Sequence, residues 1–204
     1  MSRRAARPDP SAPNSPDVEA AYAAASADEV AEILDGELFV MPRPKPRHAR
    51  AGGRLASELD GPFDRGRGGP GGWIILVEPE LHLGSKPDKV VADLAGWRRE
   101  RFPRDVVDAD ADTEPAAITT APDWVCEILS ERTEAIDRGR KMRIYRREHV
   151  GHVWLLDPRQ RTLEVYKLNA RGRWEELESY EGDTVVRAEP FDAVEIDLSI
   201  LWAW

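Results

Sequence analysis

Two short apolar stretches each enclose a single carboxylate: Val90-Val91-Ala92-Asp93-Leu94-Ala95 and Trp124-Val125-Cys126-Glu127-Ile128-Leu129. An apolar run of this length reads as a β-strand covered on both faces. An ionised group inside such a strand is costly unless a cation or hydrogen bonds compensate it. Asp93 and Glu127 are therefore expected to meet around a metal or another cation. A basic helical segment follows, Ile136 to Arg147, and it can bring Lys141 to the two carboxylates. Two acids and a lysine in that arrangement point to phosphodiester hydrolysis.

Each residue also has a plainer reading. Asp93 fits a strand-end turn, Glu127 a buried ion pair with an arginine, and Lys141 a surface salt bridge to Asp137 four residues back. The joint occurrence of two lone carboxylates favours the metal reading. Magnesium in particular takes one or two carboxylates and fills its shell with water and substrate phosphate.

The 204 residues suit one domain with a single core, expected over 17–204 behind a tail at 1–16 rich in Pro, Ser and Arg. Cys126 has no partner for an internal disulfide and reads as a small core residue. The basic N-terminus leads into no apolar run, so it does not read as a secretory signal, and no stretch is long enough to cross a bilayer. The expectation is a cytoplasmic protein without a membrane contact.

A net charge of −9 argues against holding nucleic acid by bulk electrostatics. The basic residues are nevertheless concentrated: residues 132–147 carry seven basic and two acidic side chains, and residues 98–104 four and one. Both segments adjoin the carboxylate strands. Arg98, Arg99, Arg138 and Arg140 are thus candidate phosphate contacts, with a solvated helix face as the alternative.

Along the chain, Asp17 to Ala25 predicts a short helix. Asp35-Gly36 between two apolar segments predicts a tight hairpin over 31–41. The spacing from His48 to Phe63 predicts a helix in which Gly52-Gly53 marks close packing on a sheet. Strands are expected at Trp73 to Leu83, Val90 to Ala95, Trp124 to Leu129, Val153 to Leu156, Thr162 to Leu168 and Trp174 to Tyr180. Short edge strands are expected at Thr184 to Val186 and Ala193 to Leu198, and one helix at Thr133 to Val150. This order gives an α/β fold, a mixed sheet flanked by helices.

Other chemistries fit poorly. Gly66 to Gly72 lacks the Gly-Lys-Ser/Thr ending of a phosphate-cradling loop. No Gly-x-Gly-x-x-Gly or Gly-x-Ser-x-Gly is present. Asp108, Asp110 and Asp112 imitate a calcium loop, but Thr113 and Thr119 stand where glycine and glutamate are required. Glu80 is a further candidate metal ligand, although a solvated strand residue is the simpler reading. His48 reads as a surface histidine, and Gly151 breaks the pairing of His149 with His152.

The chain resembles a known family, the bacterial "Uma two" group of restriction endonucleases within the PD-(D/E)XK nuclease superfamily. The resemblance rests on Ile33 to Leu38, Pro46 to Ala49, Glu78 to Leu83, Asp93 to Arg101, Pro122 to Ser130, Asp137 through Lys141 to Tyr145, and Gly151 to Pro158. It implies a restriction-endonuclease-like fold with extra C-terminal antiparallel strands. It further implies that Asp93, Glu127 and Lys141 are catalytic, that Asp93 and Glu127 hold Mg²⁺ or Mn²⁺, and that DNA is the partner, with a homodimer compatible. Two positions depart from the pattern. Ala92 replaces the proline before the aspartate, and Leu129 stands where the superfamily places its lysine, so Lys141 must reach in from the following helix. Three functions compete: a metal-dependent endonuclease on DNA, an inactive nucleic-acid or protein-binding module on the same fold, and a purely structural ion-pair network at Glu127.

Overall fold

The computed structural model describes residues 14–85, 87–109, 112–113 and 117–203. Most of the tail expected at 1–16, and Asp110 of the calcium-loop imitation, lie outside the described residues. The folded chain starts earlier than Asp17. Ser15 Oγ accepts the N–H of Val18 at the head of α1 (Pro16–Ala23), and Asn14 donates to the carbonyl of Pro87 at 3.1 Å.

Strands β1 (Glu29–Leu34) and β2 (Glu37–Pro42) form the expected hairpin. Asp35 and Gly36 both take positive φ, 53° and 77°, the conformation that matches a two-residue turn to the twist of its strands. Helix α2 (Pro46–Leu59) follows and runs into a wide π-helical turn over Asp60–Asp64. Gly52 sits where a Cβ would meet the Ile128 side chain at 2.9 Å, so this glycine does mark close packing. Its neighbour Gly53 faces open space.

Two expected strands are each broken in the middle. Trp73 to Leu83 divides into β3 (Trp73–Val77) and β4 (Glu80–Leu83). Val90 to Ala95 divides into β5 (Asp88–Val91) and β6 (Leu94–Arg98), so Asp93 lies in a corner and not within a strand. The breaks coincide. Val77 is paired with Leu94 on one side and Glu80 with Val91 on the other, so an antiparallel ribbon leaves one sheet and enters another. Pro79 has no N–H for a ladder, Glu78 turns the chain at φ 49°, and the Glu78 N–H closes the corner on the Asp93 carbonyl at 3.0 Å.

A short helix α3 (Arg104–Val107) precedes β7 (Trp124–Ile128). The single helix expected from Thr133 to Val150 is three pieces: α4 (Glu134–Ile136), a π-helical turn over Asp137–Lys141, and α5 (Met142–Arg147). Such widened turns recur at functional sites. Strands β8 (His152–Asp157), β9 (Thr162–Leu168) and β10 (Trp174–Glu181) lie where expected. The expected edge strands β11 (Val185–Val186) and β12 (Ile196–Asp197) pair only with each other, and α6 (Ser199–Trp202) follows them.

The main sheet has the order β10-β9-β8-β7-β6-β3, mixed because β7 and β8 are parallel; the second has the order β2-β1-β5-β4. Alternation along β7 assigns its two faces. Trp124, Cys126 and Ile128 join Ala51, Leu55 and Leu59 of α2 in one core, where Phe191 packs on Trp73, Trp124 and Trp154 at 4.8 to 5.6 Å between ring centroids. Val125 and Leu129 join Ile144 and Tyr145 of α5 in the other. The side-chain period of two therefore turns Glu127 toward α5 and the π-helical turn.

Candidate active site

Glu127 is almost wholly enclosed, with 2% of its side chain exposed. Its Oε1 accepts the hydroxyl of Tyr145, and its Oε2 lies 3.3 Å from the Lys141 ammonium. Lys141, 6% exposed, also donates to the Val91 carbonyl at 3.0 Å and to Glu32 Oε1 at 2.9 Å, with Asp137 at 3.6 Å. An ammonium has three protons. The three nearest acceptors match that number, and the expected i, i+4 ion pair with Asp137 is present but buried, the longest of the lysine's contacts and not a surface salt bridge.

Asp93 lies at the rim of the same cleft. Its Oδ2 accepts the backbone N–H of Ile128 at 2.6 Å, and its Oδ1 lies 3.2 Å from His48 Nε2. His48 is 15% exposed, on the first turn of α2, and is not the surface histidine its sequence setting implies. Among the described residues Glu127 is likewise not paired with an arginine.

Three carboxylates, Glu32, Glu127 and Asp137, thus surround one lysine, and a fourth, Asp93, borders the same cleft. The electrostatic consequences are consistent with an anionic surplus. Burial pushes the Glu127 carboxyl well above the ordinary range against the opposing charge of Lys141. Burial likewise pushes Asp137 up to about 6, with Lys141 and Thr133 opposing. Burial disfavours charge on Lys141, yet Glu127 and Glu32 outweigh it and hold the ammonium firmly protonated. At His48 burial is again outweighed, here by the hydrogen bond and charge of Asp93, which raise the imidazole above its usual value.

A divalent cation fits this donor set. All four acids offer hard oxygen ligands, and Glu32 Oε2 is a buried oxygen without a hydrogen-bond partner among the described residues. Among the described residues no three His, Cys, Asp or Glu side chains form a ready-made metal cage. Magnesium does not require one.

The cleft over this cluster measures about 350 Å³ and is bordered by the hairpin, the start of α2, the β3–β4 corner and the loop after β7. Glu78, and not the expected Glu80, lines it; Glu80 instead bonds His82 at 2.7 Å outside the cleft. The four candidate arginines lie outside it as well. Arg98 stacks over the Trp73 ring at 4.1 Å, Arg99 bonds Asp64 at 2.9 Å, Arg138 bonds Glu164 at 2.7 Å, and Arg140 bonds Glu37 at 2.6 Å. Glu32, in Val30-Ala31-Glu32-Ile33-Leu34, carries the same lone-carboxylate signal as Glu127 and was legible by the same rule.

The sequence profile of the Uma2 family, described as "Putative restriction endonuclease", matches residues 17–200. The chain belongs to the Uma2 family. Among solved structures, this Uma2 chain is similar to a "putative nuclease belonging to DUF820" from Anabaena variabilis. The two share 19% identity over 91% of this chain and 96% of that one, with a TM-score of 0.70. That likeness places the Uma2 chain in the restriction-endonuclease-like fold. No curated protein sequence matches it. The expected family and fold are therefore both found, and no helix among the described residues is long and apolar enough to cross a membrane.

Proposed function

We propose that this Uma2 protein is a Mg²⁺-dependent endonuclease that hydrolyses DNA phosphodiester bonds, with Mn²⁺ able to substitute. The observation that carries the reading is the cleft in which Glu32, Glu127 and Asp137 share one buried ammonium and Asp93 stands beside them. Asp93 and Glu127 are the residues that would hold the metal, Asp93 from the corner and Glu127 from β7. A bound divalent cation supplies Lewis-acid stabilisation of the charge that builds on the phosphoryl oxygens. In the reaction water adds across a P–O bond, leaving a phosphate monoester and a hydroxyl.

The chain's own groups hold this site in shape. Tyr145 and Lys141 orient Glu127 from one side, and the Ile128 N–H and His48 orient Asp93 from the other. With its three protons directed at Val91, Glu32 and Glu127, Lys141 acts first as the positioning residue for the carboxylates. Its charge at the cleft floor also favours an approaching phosphate. The same saturation of Lys141 favours a second reading, a module on this fold that binds nucleic acid without cleaving it.

A plasmid-nicking assay separates the two. Wild-type protein is expected to nick supercoiled DNA with Mg²⁺ or Mn²⁺ and not with EDTA, and Glu127→Ala is expected to abolish nicking. Intact plasmid under every metal condition, or equal nicking by Glu127→Ala, would remove the endonuclease reading.

A further inference from the structure

Among the cations bordering the cleft, Lys45, Arg47 and Arg132 stand apart. Arg43 and Arg159 also line it, but Arg43 pairs with Glu78 at 3.6 Å and Arg159 with Asp157 at 2.7 Å. Lys45, Arg47 and Arg132 are exposed side chains that line the cleft and make no ion pair or hydrogen bond within the described residues. They come from two separate segments, the entry to α2 and the loop between β7 and α4. Lys45 occupies the N-cap of α2 without a side-chain cap bond, so the helix's positive end adds to the same field.

Elsewhere on the surface Arg99 and Arg101 meet Asp64 and Asp123, while Arg67, Arg104, Arg146, Arg171 and Arg173 have no ion pair among the described residues, so it is position on the cleft that singles out Lys45, Arg47 and Arg132. Three unpaired cations beside the carboxylate cluster are arranged for an anion from outside. The net charge of −9 does not oppose this strongly, because screening at physiological salt limits surface charges to about 8 Å. Glu127 lies at the floor with 2% of its side chain exposed and Asp93 at the rim with 19%, so a ligand that meets both must enter the recess. A flexible polyanion meets that condition.

We infer that Lys45, Arg47 and Arg132 form the phosphate clamp of this cleft, gripping the sugar-phosphate backbone of a nucleic-acid strand on either side of the phosphate presented to Asp93 and Glu127. The inference rests on the nuclease reading for the identity of the polyanion. It replaces Arg98, Arg99, Arg138 and Arg140 as the principal phosphate contacts, since those four lie outside the cleft.

The test is fluorescence anisotropy with a fluorescein-labelled single-stranded DNA 20-mer in EDTA, where no metal-dependent cleavage occurs, over a range of salt. The triple variant Lys45→Ala, Arg47→Ala, Arg132→Ala should bind on the order of tenfold more weakly and lose about two units of salt slope, since each phosphate contact to a single strand contributes roughly 0.7. The double variant Arg98→Ala, Arg138→Ala should keep the wild-type slope. Wild-type slope in the triple variant, an equal loss in the double variant, or no binding by the wild type would each overturn the clamp. The nuclease reading fails on another readout, absence of nicking with Mg²⁺, whatever the affinities.

Discussion

Asp93 Oδ2 accepts the backbone N–H of Ile128 at 2.6 Å, so the carboxylate at the sheet-switching corner is anchored to the residue directly after Glu127. The two acids are thereby held in one frame although 35 positions separate Asp93 from Ile128. A carboxylate fixed by a backbone donor has little freedom to retreat from a neighbouring charge. The surplus of carboxylates over the one ammonium in the buried cluster is therefore built in, and it sets what substitutions there will do.

Metal binding should depend on the corner. Isothermal calorimetry with Mn²⁺ is expected to show binding by the wild type and none by Asp93→Ala, because the remaining acids Glu32, Glu127 and Asp137 are all engaged by Lys141. Equal heats from both proteins would mean that Asp93 is not a ligand.

Lys141→Met should be severely destabilising. It removes the one ammonium among Glu32, Glu127 and Asp137 and leaves their buried oxygens without a counter-charge. Breaking a buried ionic cluster in this way costs about 3–5 kcal/mol. Urea denaturation in EDTA checks it, and a midpoint equal to wild type would show that Lys141 contributes nothing to the fold.

Stability should fall as pH rises through the neutral-acid range. Asp137 has its folded pKa raised by burial to about 6 from 3.8, so the folded chain holds its proton more tightly than the unfolded one. The resulting stabilisation is fully present below the unfolded value and is lost as pH climbs through about 6. Glu127 is displaced in the same direction. For Asp137 the total is on the order of 3 kcal/mol. Melting temperatures of wild type and Asp137→Asn between pH 4.5 and 7.5 should show a decline in the wild type that the variant flattens; parallel curves would count against it.

Adjacent glycines in α2 should respond differently to alanine. Gly53→Ala meets nothing within 4 Å and gains helix propensity, stabilising by about 0.5–1 kcal/mol. Gly52→Ala gains the same propensity but places Cβ 2.9 Å from Ile128 Cδ1, so that side chain must shift. Thermal melts should rank Gly53→Ala above wild type and Gly52→Ala below Gly53→Ala; the reverse order would mean that α2 does not approach β7 as described.

Local rules made several features of this protein legible from its sequence. Asp35-Gly36 specifies its hairpin because only residues tolerating positive φ close a two-residue turn. Glu127 stands out because a carboxylate flanked by Cys126 and Ile128 must find compensation, and i, i+4 spacing puts Asp137, Lys141 and Tyr145 on the face that provides it. The corner was not legible: Val90 to Ala95 has the composition of one strand, and only pairing with a broken β3–β4 partner divides it. Nor was the convergence of Glu32 and His48, since β1 belongs to the second sheet and α2 packs on the opposite face of β7. The arginines illustrate the same division. Charge density along the chain identifies basic segments, but whether a guanidinium meets a carboxylate or an open cleft depends on neighbours brought in from remote parts of the chain, and that is decided by tertiary packing alone.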